Sequence, residues 1–473
     1  MIAPVATAAE VPAVARRAVL ASGAPFGAGL ATPKPLLSAV ASHGVRLRSA
    51  VTGLTGPPAV LARGPATTRN PAVFFTDPDM NAQALFTIGA AGYGAAEFGE
   101  VAVAISGIHR GGDSYDSYYD AFRSMGLLAS GFGQEALGRR NPAAARGAFL
   151  RAASYLANPL FFVLGTSHPR RQAAAYRAMN DNWVRAAGLL EPAAEPVRIP
   201  YGRTTMPGWL LRPPGAGARG GAGIRRPTII FNNGNDAQNI GLYIYGAAEA
   251  VALGYNALVF EGPGQGSMLF LRGVPFRPDW EAVITPVVSY LRSRPDVDPG
   301  RIALIGWSQG GALAARAAAF EHRLAALVLD PGVVDYMAVF HLPQKLVGLA
   351  LSGHPAEADA IWAAIFPKLP ASVRFSYTKG SYPFRQPTFS ALVRSLVQCD
   401  TAAYLPKITT PTLVTNYQGD TAFPGQGYQA AELLRCAKSL HEFTAVAGCR
   451  LHDAPMAPQR RNQVVFDWLS GIL

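Results

Sequence analysis

Gly306-Trp307-Ser308-Gln309-Gly310 places a serine between glycines, with an apolar run, Ile302–Ile305, before it and an Ala-rich stretch to Phe320 after it. Strand, sharp turn and helix in that order make the serine of Gly-x-Ser-x-Gly an exposed nucleophile on a strained backbone. A serine hydroxyl is a weak nucleophile near neutral pH. It needs a histidine to take its proton and an acid to orient that histidine. His452 lies in Gly448-Cys449-Arg450-Leu451-His452-Asp453-Ala454, between the last strand pattern and the final helical pattern, and is the candidate base. His441 opens a strand, where its ring would pack or face solvent. Asp420 directly follows the strand pattern Thr412–Asn416, at the edge where open parallel sheets carry their sites. Asp330 and Asp335 compete from the preceding strand, but Asp330-Pro331-Gly332 also reads as a plain turn. Asp453 adjoins His452 and, on a loop, is expected to point away from it.

Acyl chemistry at such a serine also requires two N–H donors aimed at the developing oxyanion. The residue after the nucleophile, Gln309, supplies one. The loop Asn233-Gly234-Asn235-Asp236 supplies the other, with Asn235 chosen as donor. Gly262-Pro263-Gly264-Gln265-Gly266 lacks the Lys-Ser/Thr of a phosphate loop and reads as a tight turn near the site's rim. The eight histidines show no metal-ligand spacing, and neither metal nor cofactor is expected.

These residues need a scaffold that brings late loops together. Strand patterns at Val197–Tyr201 and Gly208–Arg212 form a hairpin. Thr228–Asn232, Asn256–Phe260, Arg301–Ile305, Ala325–Leu329, Thr412–Asn416 and His441–Val446 then alternate with helical stretches. That alternation predicts an α/β fold, a mostly parallel central sheet with helices on both faces. Before it, Ala84–Ile105, Tyr118–Leu128, Ala143–Leu164 and Gln172–Leu190 read as helices of an N-terminal all-α cap. Between residues 331 and 405 the alternation breaks into a lid insert, with helical pieces at Gln344–Leu351 and Ala356–Phe366 and a loop at Tyr377–Arg385. Tyr93, Tyr118, Tyr155 and Trp183 of the cap are candidate substrate-binding side chains, and one at least is expected to face the space above Ser308. The resulting division is 1–71 as a tail or targeting segment, 72–196 as helical cap and 197–473 as catalytic domain.

Of 473 residues, 49% are hydrophobic and 15% charged, enough for a large core. The excess of 42 Lys and Arg over 30 Asp and Glu is scattered, without basic blocks interleaved with aromatics, which argues against nucleic acid. No run of about 18 residues is uninterruptedly apolar, so no membrane span is expected. Cys399, Cys436 and Cys449 fit neither a disulfide framework nor a paired metal site and read as small buried side chains. The first 76 residues hold a single acid, Glu10, and Arg16-Arg17-Ala18-Val19-Leu20 has the shape of a twin-arginine signal. A plain tail and a cytoplasmic location are the favoured expectation, with export or organelle targeting as alternatives. A homodimer is left open.

Together with the elbow, Phe260-Glu261-Gly262-Pro263-Gly264-Gln265-Gly266, Arg277-Pro278-Asp279-Trp280-Glu281, Asp330-Pro331-Gly332 and Gly419-Asp420-Thr421-Ala422-Phe423-Pro424-Gly425-Gln426 occur in the order of a known group. Residues 72–473 resemble the α/β hydrolases that include 2,6-dihydroxypseudooxynicotine hydrolase, the fungal polyketide-shortening pigment hydrolases and FrsA-like esterases. The cap matches too, through Gly89–Gly94, Phe98-Gly99-Glu100 and Leu150–Tyr155. The resemblance implies an α/β-hydrolase fold. It also implies a Ser–His–Asp enzyme that cleaves a C–C bond beside a ketone, or an ester, in a small acyl or polyketide-like molecule of secondary metabolism. Family members often carry Asp where Glu261 stands and Cys where Asp453 stands. An acyltransferase or cyclase would use the same triad. A non-catalytic, ligand-binding relative is the alternative from another class.

Overall fold

A computed structural model of the chain describes residues 73–215 and 224–473. The tail-or-targeting expectation for residues 1–71 and the centre of the Gly-rich loop at 215–226 lie outside them. All described residues fall in one compact unit.

The sheet has eight strands: β1 Glu195–Tyr201, β2 Thr204–Leu211, β3 Arg226–Asn232, β4 Asn256–Phe260, β5 Val297–Trp307, β6 Ala326–Asp330, β7 Thr412–Tyr417 and β8 Lys438–Phe443. Their spatial order is β1-β2-β4-β3-β5-β6-β7-β8. β2 runs antiparallel to β1 and β4, and every later pair is parallel. Parallel central strands are buried on both faces, which explains the unbroken apolar runs in the sequence. Alternate residues serve opposite cores. Ile229, Phe231, Ala303, Ile305 and Val328 join one cluster, while Ile230, Ile302, Leu304 and Leu327 join the other.

The N-terminal helices are α1 Pro78–Gly89, α2 Phe98–Arg110, α3 Tyr115–Gly138, α4 Pro142–Phe162 and α5 Gln172–Gly188. The single periodic run expected over Ala84–Ile105 is two helices, separated by a 3-10 turn at Ala90–Tyr93 that ends on Gly94 in the left-handed region. Asp77, Ser114 and Asn141 cap α1, α3 and α4 by accepting backbone N–H bonds. These helices do not form a separate core. Phe122, Phe149, Leu156 and Trp183 share one hydrophobic cluster with Ile229, Ile305 and Phe466. Together with the turn at Val163–Gly165, α4 is long and apolar enough to cross a membrane, but most of it is buried inside the fold.

After β4 come α6 Glu281–Arg292 and then, beyond the elbow, α7 Gly310–Ala318. The segment between β6 and β7 holds α8 Gln344–Leu351, α9 Pro355–Ile365, α10 Ala371–Ser381 and α11 Phe389–Val397. The loop expected at Tyr377–Arg385 is instead the end of α10 and a 3-10 turn at Tyr382–Phe384. Gly380 and Pro383 read as loop formers, but Gly380 is a buried helical position and Pro383 occupies the second place of the turn. α10 ties this insert to the N-terminal helices, because Phe375 stacks on Phe162 at 5.3 Å and packs on Tyr115 at 4.4 Å. The chain closes with α12 Gln426–Leu433 and α13 Pro458–Ser470.

Candidate active site

Ser308 sits between β5 and α7 with φ of 59°, the left-handed region that costs an L-residue roughly 1–2 kcal/mol. The elbow is pinned by Ser308 N–H donating to Asp330 O at 2.7 Å and Gly311 N–H donating to Ser308 O at 2.9 Å. Its glycines are required by close approach: a Cβ on Gly306 would lie 2.1 Å from Gly310 O, and one on Gly310 would lie 2.6 Å from Asn232 O.

Ser308 Oγ is 2.9 Å from His452 Nε2. His452 Nδ1 is 2.8 Å from Asp420 Oδ2. The other Asp420 oxygen accepts the N–H bonds of Ala422 at 2.8 Å and Phe423 at 3.1 Å. The two loops are joined by Gly419 N–H donating to Arg450 O at 2.8 Å. Three residues spread over 144 positions of the chain thus form one hydrogen-bonded line. Burial raises the Asp420 carboxyl, but the imidazole and the two N–H donors outweigh it and hold the group below the usual carboxylate range. Burial acts against a charged His452, yet the carboxylates of Asp420 and Asp453 prevail and push its pKa up to about 10.

Asp453 corrects the sequence expectation. It does not point away, because its Oδ2 is 3.2 Å from His452 Nε2. Positive φ values at Asp453 (61°) and Ala454 (49°) turn the loop back on itself and bring the carboxyl to the Nε2 edge of the ring. Asp330, the competing acid, is committed elsewhere. It receives Tyr417 Oη–H at 2.6 Å, the Thr415 hydroxyl and Arg461 Nε–H at 2.5 Å, and is fully buried. Asp335 caps the turn at Tyr336–Phe340 and accepts Met337 N–H at 2.9 Å.

The Asn233–Asp236 loop lies against the elbow. A Cβ on Gly234 would lie 2.8 Å from the Trp307 carbonyl oxygen and 3.1 Å from the Gln309 nitrogen, too close for a side chain without a backbone shift. No acceptor among the described residues takes the backbone N–H of Gln309 or Asn235. The Asn235 side chain is anchored to the insert, donating to Tyr336 Oη at 2.8 Å and Gly380 O at 3.3 Å. Gln265, from the Gly262–Gly266 turn, braces the same loop by donating to Asn233 O at 2.8 Å and Gly234 O at 3.1 Å. Buried Glu261 holds the turn's exit, accepting Ser267 N–H at 2.8 Å and Tyr176 Oη–H at 2.7 Å.

Among the described residues, no hydrogen bond or ring contact joins the four cap aromatics to Ser308 or His452. Tyr118 lies in the interior, its hydroxyl donating to Met80 O and Asn158 Oδ1 at 3.4 Å. Tyr155 donates to Glu100 at 2.6 Å. Trp183 packs edge-on to Trp209 at 6.2 Å, and Tyr93 bridges Glu249 and Asn462. Tyr118, Tyr155 and Trp183 are fully buried and fill a core, where large rings contribute most by leaving water. The aromatics beside the elbow are others: Trp307 stacks on Tyr245 at 4.7 Å, Phe86 meets Trp307 edge-on at 6.2 Å, and Phe423 is 5.6 Å from the His452 ring. Trp307 was legible as the serine's neighbour, whereas Phe86 and Tyr245 carried no motif.

The family described as "Alpha/beta hydrolase family" matches residues 241–465. The chain is 30% identical to hydrolase LUC6 of a Fusarium species over 359 residues, covering 73% of this chain and 82% of that one. It is 29% identical over 355 residues to the 20-hydroxy-prefusarin hydrolase FUS2 of Gibberella moniliformis, covering 72% and 82%. The α/β hydrolase ucsC of an Acremonium species is 29% identical over 376 residues, covering 72% and 75%. Among solved structures, 2,6-dihydroxy-pseudo-oxynicotine hydrolase superposes with a TM-score of 0.62 at 19% identity, covering 81% of this chain and 95% of that one. That likeness is one of fold. With this sheet order and these relatives, the chain belongs to the α/β hydrolase family and is a hydrolase.

Proposed function

We propose that the chain is a serine hydrolase in which Ser308 is the nucleophile, His452 the general base and acid, and Asp420 the orienting carboxylate. It would act on a carbonyl of a small acyl or polyketide-like molecule, at a C–C bond beside a ketone or at an ester. The continuous line Ser308–His452–Asp420, with contacts of 2.9 and 2.8 Å, carries this reading. His452 takes the Ser308 proton as Oγ attacks the carbonyl carbon, and Asp420 steadies the imidazolium through Nδ1. The N–H groups of Gln309 and Asn235 receive the oxyanion, near the start of α7. Collapse breaks the bond to the leaving group, whose electron pair takes the proton from Nε2. Water then repeats the sequence to release the acid. Two features favour the C–C form. Phe86, Tyr245 and Trp307 pack beside the elbow, and the insert grips Asn235. A covered carbonyl can be held with its scissile bond aligned and its carbanion kept from stray protons.

Product analysis with β-diketones and aryl esters in 18O-labelled water tests this. The expected outcome is 18O in a carboxylic acid product, with diketone cleaved at a higher kcat/KM than ester. Ester cleavage alone would reduce the reading to an esterase. Acyl transfer to an added alcohol without 18O incorporation would make the chain an acyltransferase.

A further inference from the structure

Asp453 is placed where the reaction just described gives it no part. Its Oδ2 lies 3.2 Å from His452 Nε2, the nitrogen that also meets Ser308 Oγ at 2.9 Å. The residue is 2% exposed, and its Oδ1 has no hydrogen-bond partner among the described residues. Two successive non-glycine residues with positive φ, Asp453 and Ala454, hold it there, and such strain gathers where a group must be aimed.

Six charged and titratable groups surround Asp453. They are His452 on its own loop, Asp420 after β7, Asp330 at the end of β6, Tyr417 on β7, Tyr245 in the helical turn Tyr243–Ala247 between β3 and β4, and Arg461 on α13. Arg461 is already engaged by Asp330. Burial pushes the Asp453 carboxyl up, His452 and Arg461 pull it down, and the Asp330 and Asp420 carboxylates push it up again, leaving it well above the usual range. Two carboxyls thus flank one imidazole, Asp420 at Nδ1 and Asp453 at Nε2.

We propose that Asp453 is a positioning residue for the base, a second carboxyl that holds one proton jointly with His452 on its Ser308 side. This rests on the reading of His452 as general base. A carboxylate against Nε2 stabilises the Nε2–H form and competes with Ser308 for that nitrogen. The pair releases its shared proton to solvent before Nε2 accepts from Ser308 Oγ, and the leaving group later takes that second proton. Activity therefore rises with pH through a range above that of an ordinary histidine.

The test is the rate of fluorophosphonate labelling at Ser308 from pH 5 to 10, which needs no native substrate. Asp453→Asn is expected to move the acid limb of this profile down by at least one pH unit, so that labelling on the limb becomes about tenfold faster or more. Asp453→Glu should keep the wild-type limb. Superimposed limbs for wild type and Asp453→Asn, in folded protein, would overturn the proposal. So would a wild-type limb at or below about pH 6.5, the ordinary histidine value, whatever the variants do. Failure of folded wild-type protein to label at all would instead overturn the serine-hydrolase reading, and this proposal with it.

Discussion

Two aspartates stand one strand apart at the same edge of the sheet, and only one meets the histidine. Asp330 ends β6 and Asp420 follows β7, and both are almost fully buried. Both oxygens of Asp330 are claimed by donors: the Arg461 guanidinium pairs its charge, and the Tyr417 and Thr415 hydroxyls hydrogen-bond to it. Asp420 has two backbone N–H donors on one oxygen and leaves the other for His452. A carboxylate's role is decided by what else claims its oxygens. Asp330 holds α13 to the sheet, and Asp420 faces the His452 ring.

Substituting each aspartate sharpens the contrast. Asp420→Asn should lower kcat by about 10^4-fold while the protein stays folded, because the imidazole loses its anion and its correct tautomer. Turnover of an activated ester checks it. Asp330→Asn should act mainly on stability. It leaves the Arg461 guanidinium buried against a neutral partner, a loss of about 3–5 kcal/mol, visible as an earlier urea or thermal midpoint. Turnover per folded molecule should fall far less than in Asp420→Asn. The opposite ranking would exchange the two roles.

How much of this was legible in the sequence follows from locality. The elbow was readable because turn chemistry, apolar strand and helix all lie within about 20 residues, and each constrains the next. The strands of the parallel sheet were readable for the same reason, with ends displaced by a few residues: β8 runs Lys438–Phe443 rather than His441–Val446. Asp420 was favoured over Asp330 by its place after the strand, but the donors that occupy Asp330 come from β7 and α13, far along the chain. The direction of Asp453 does not follow from the sequence, because two successive positive φ values at non-glycine residues leave no mark in composition. The cap aromatics were plausible binders by type. Nothing in a helical pattern says whether a face meets substrate or the sheet, and here the rings of Tyr118, Tyr155 and Trp183 joined the core that the helices share with β3 and β5.

Whether Ser308 is the activated nucleophile is read by intact-mass measurement after fluorophosphonate treatment. One adduct per chain, mapped to Ser308, is expected. It should be abolished in folded Ser308→Ala and slowed by orders of magnitude in His452→Ala, with turnover lost by up to about 10^6-fold in either variant. Undiminished labelling of Ser308→Ala, or a folded wild-type protein that takes no label, would contradict it.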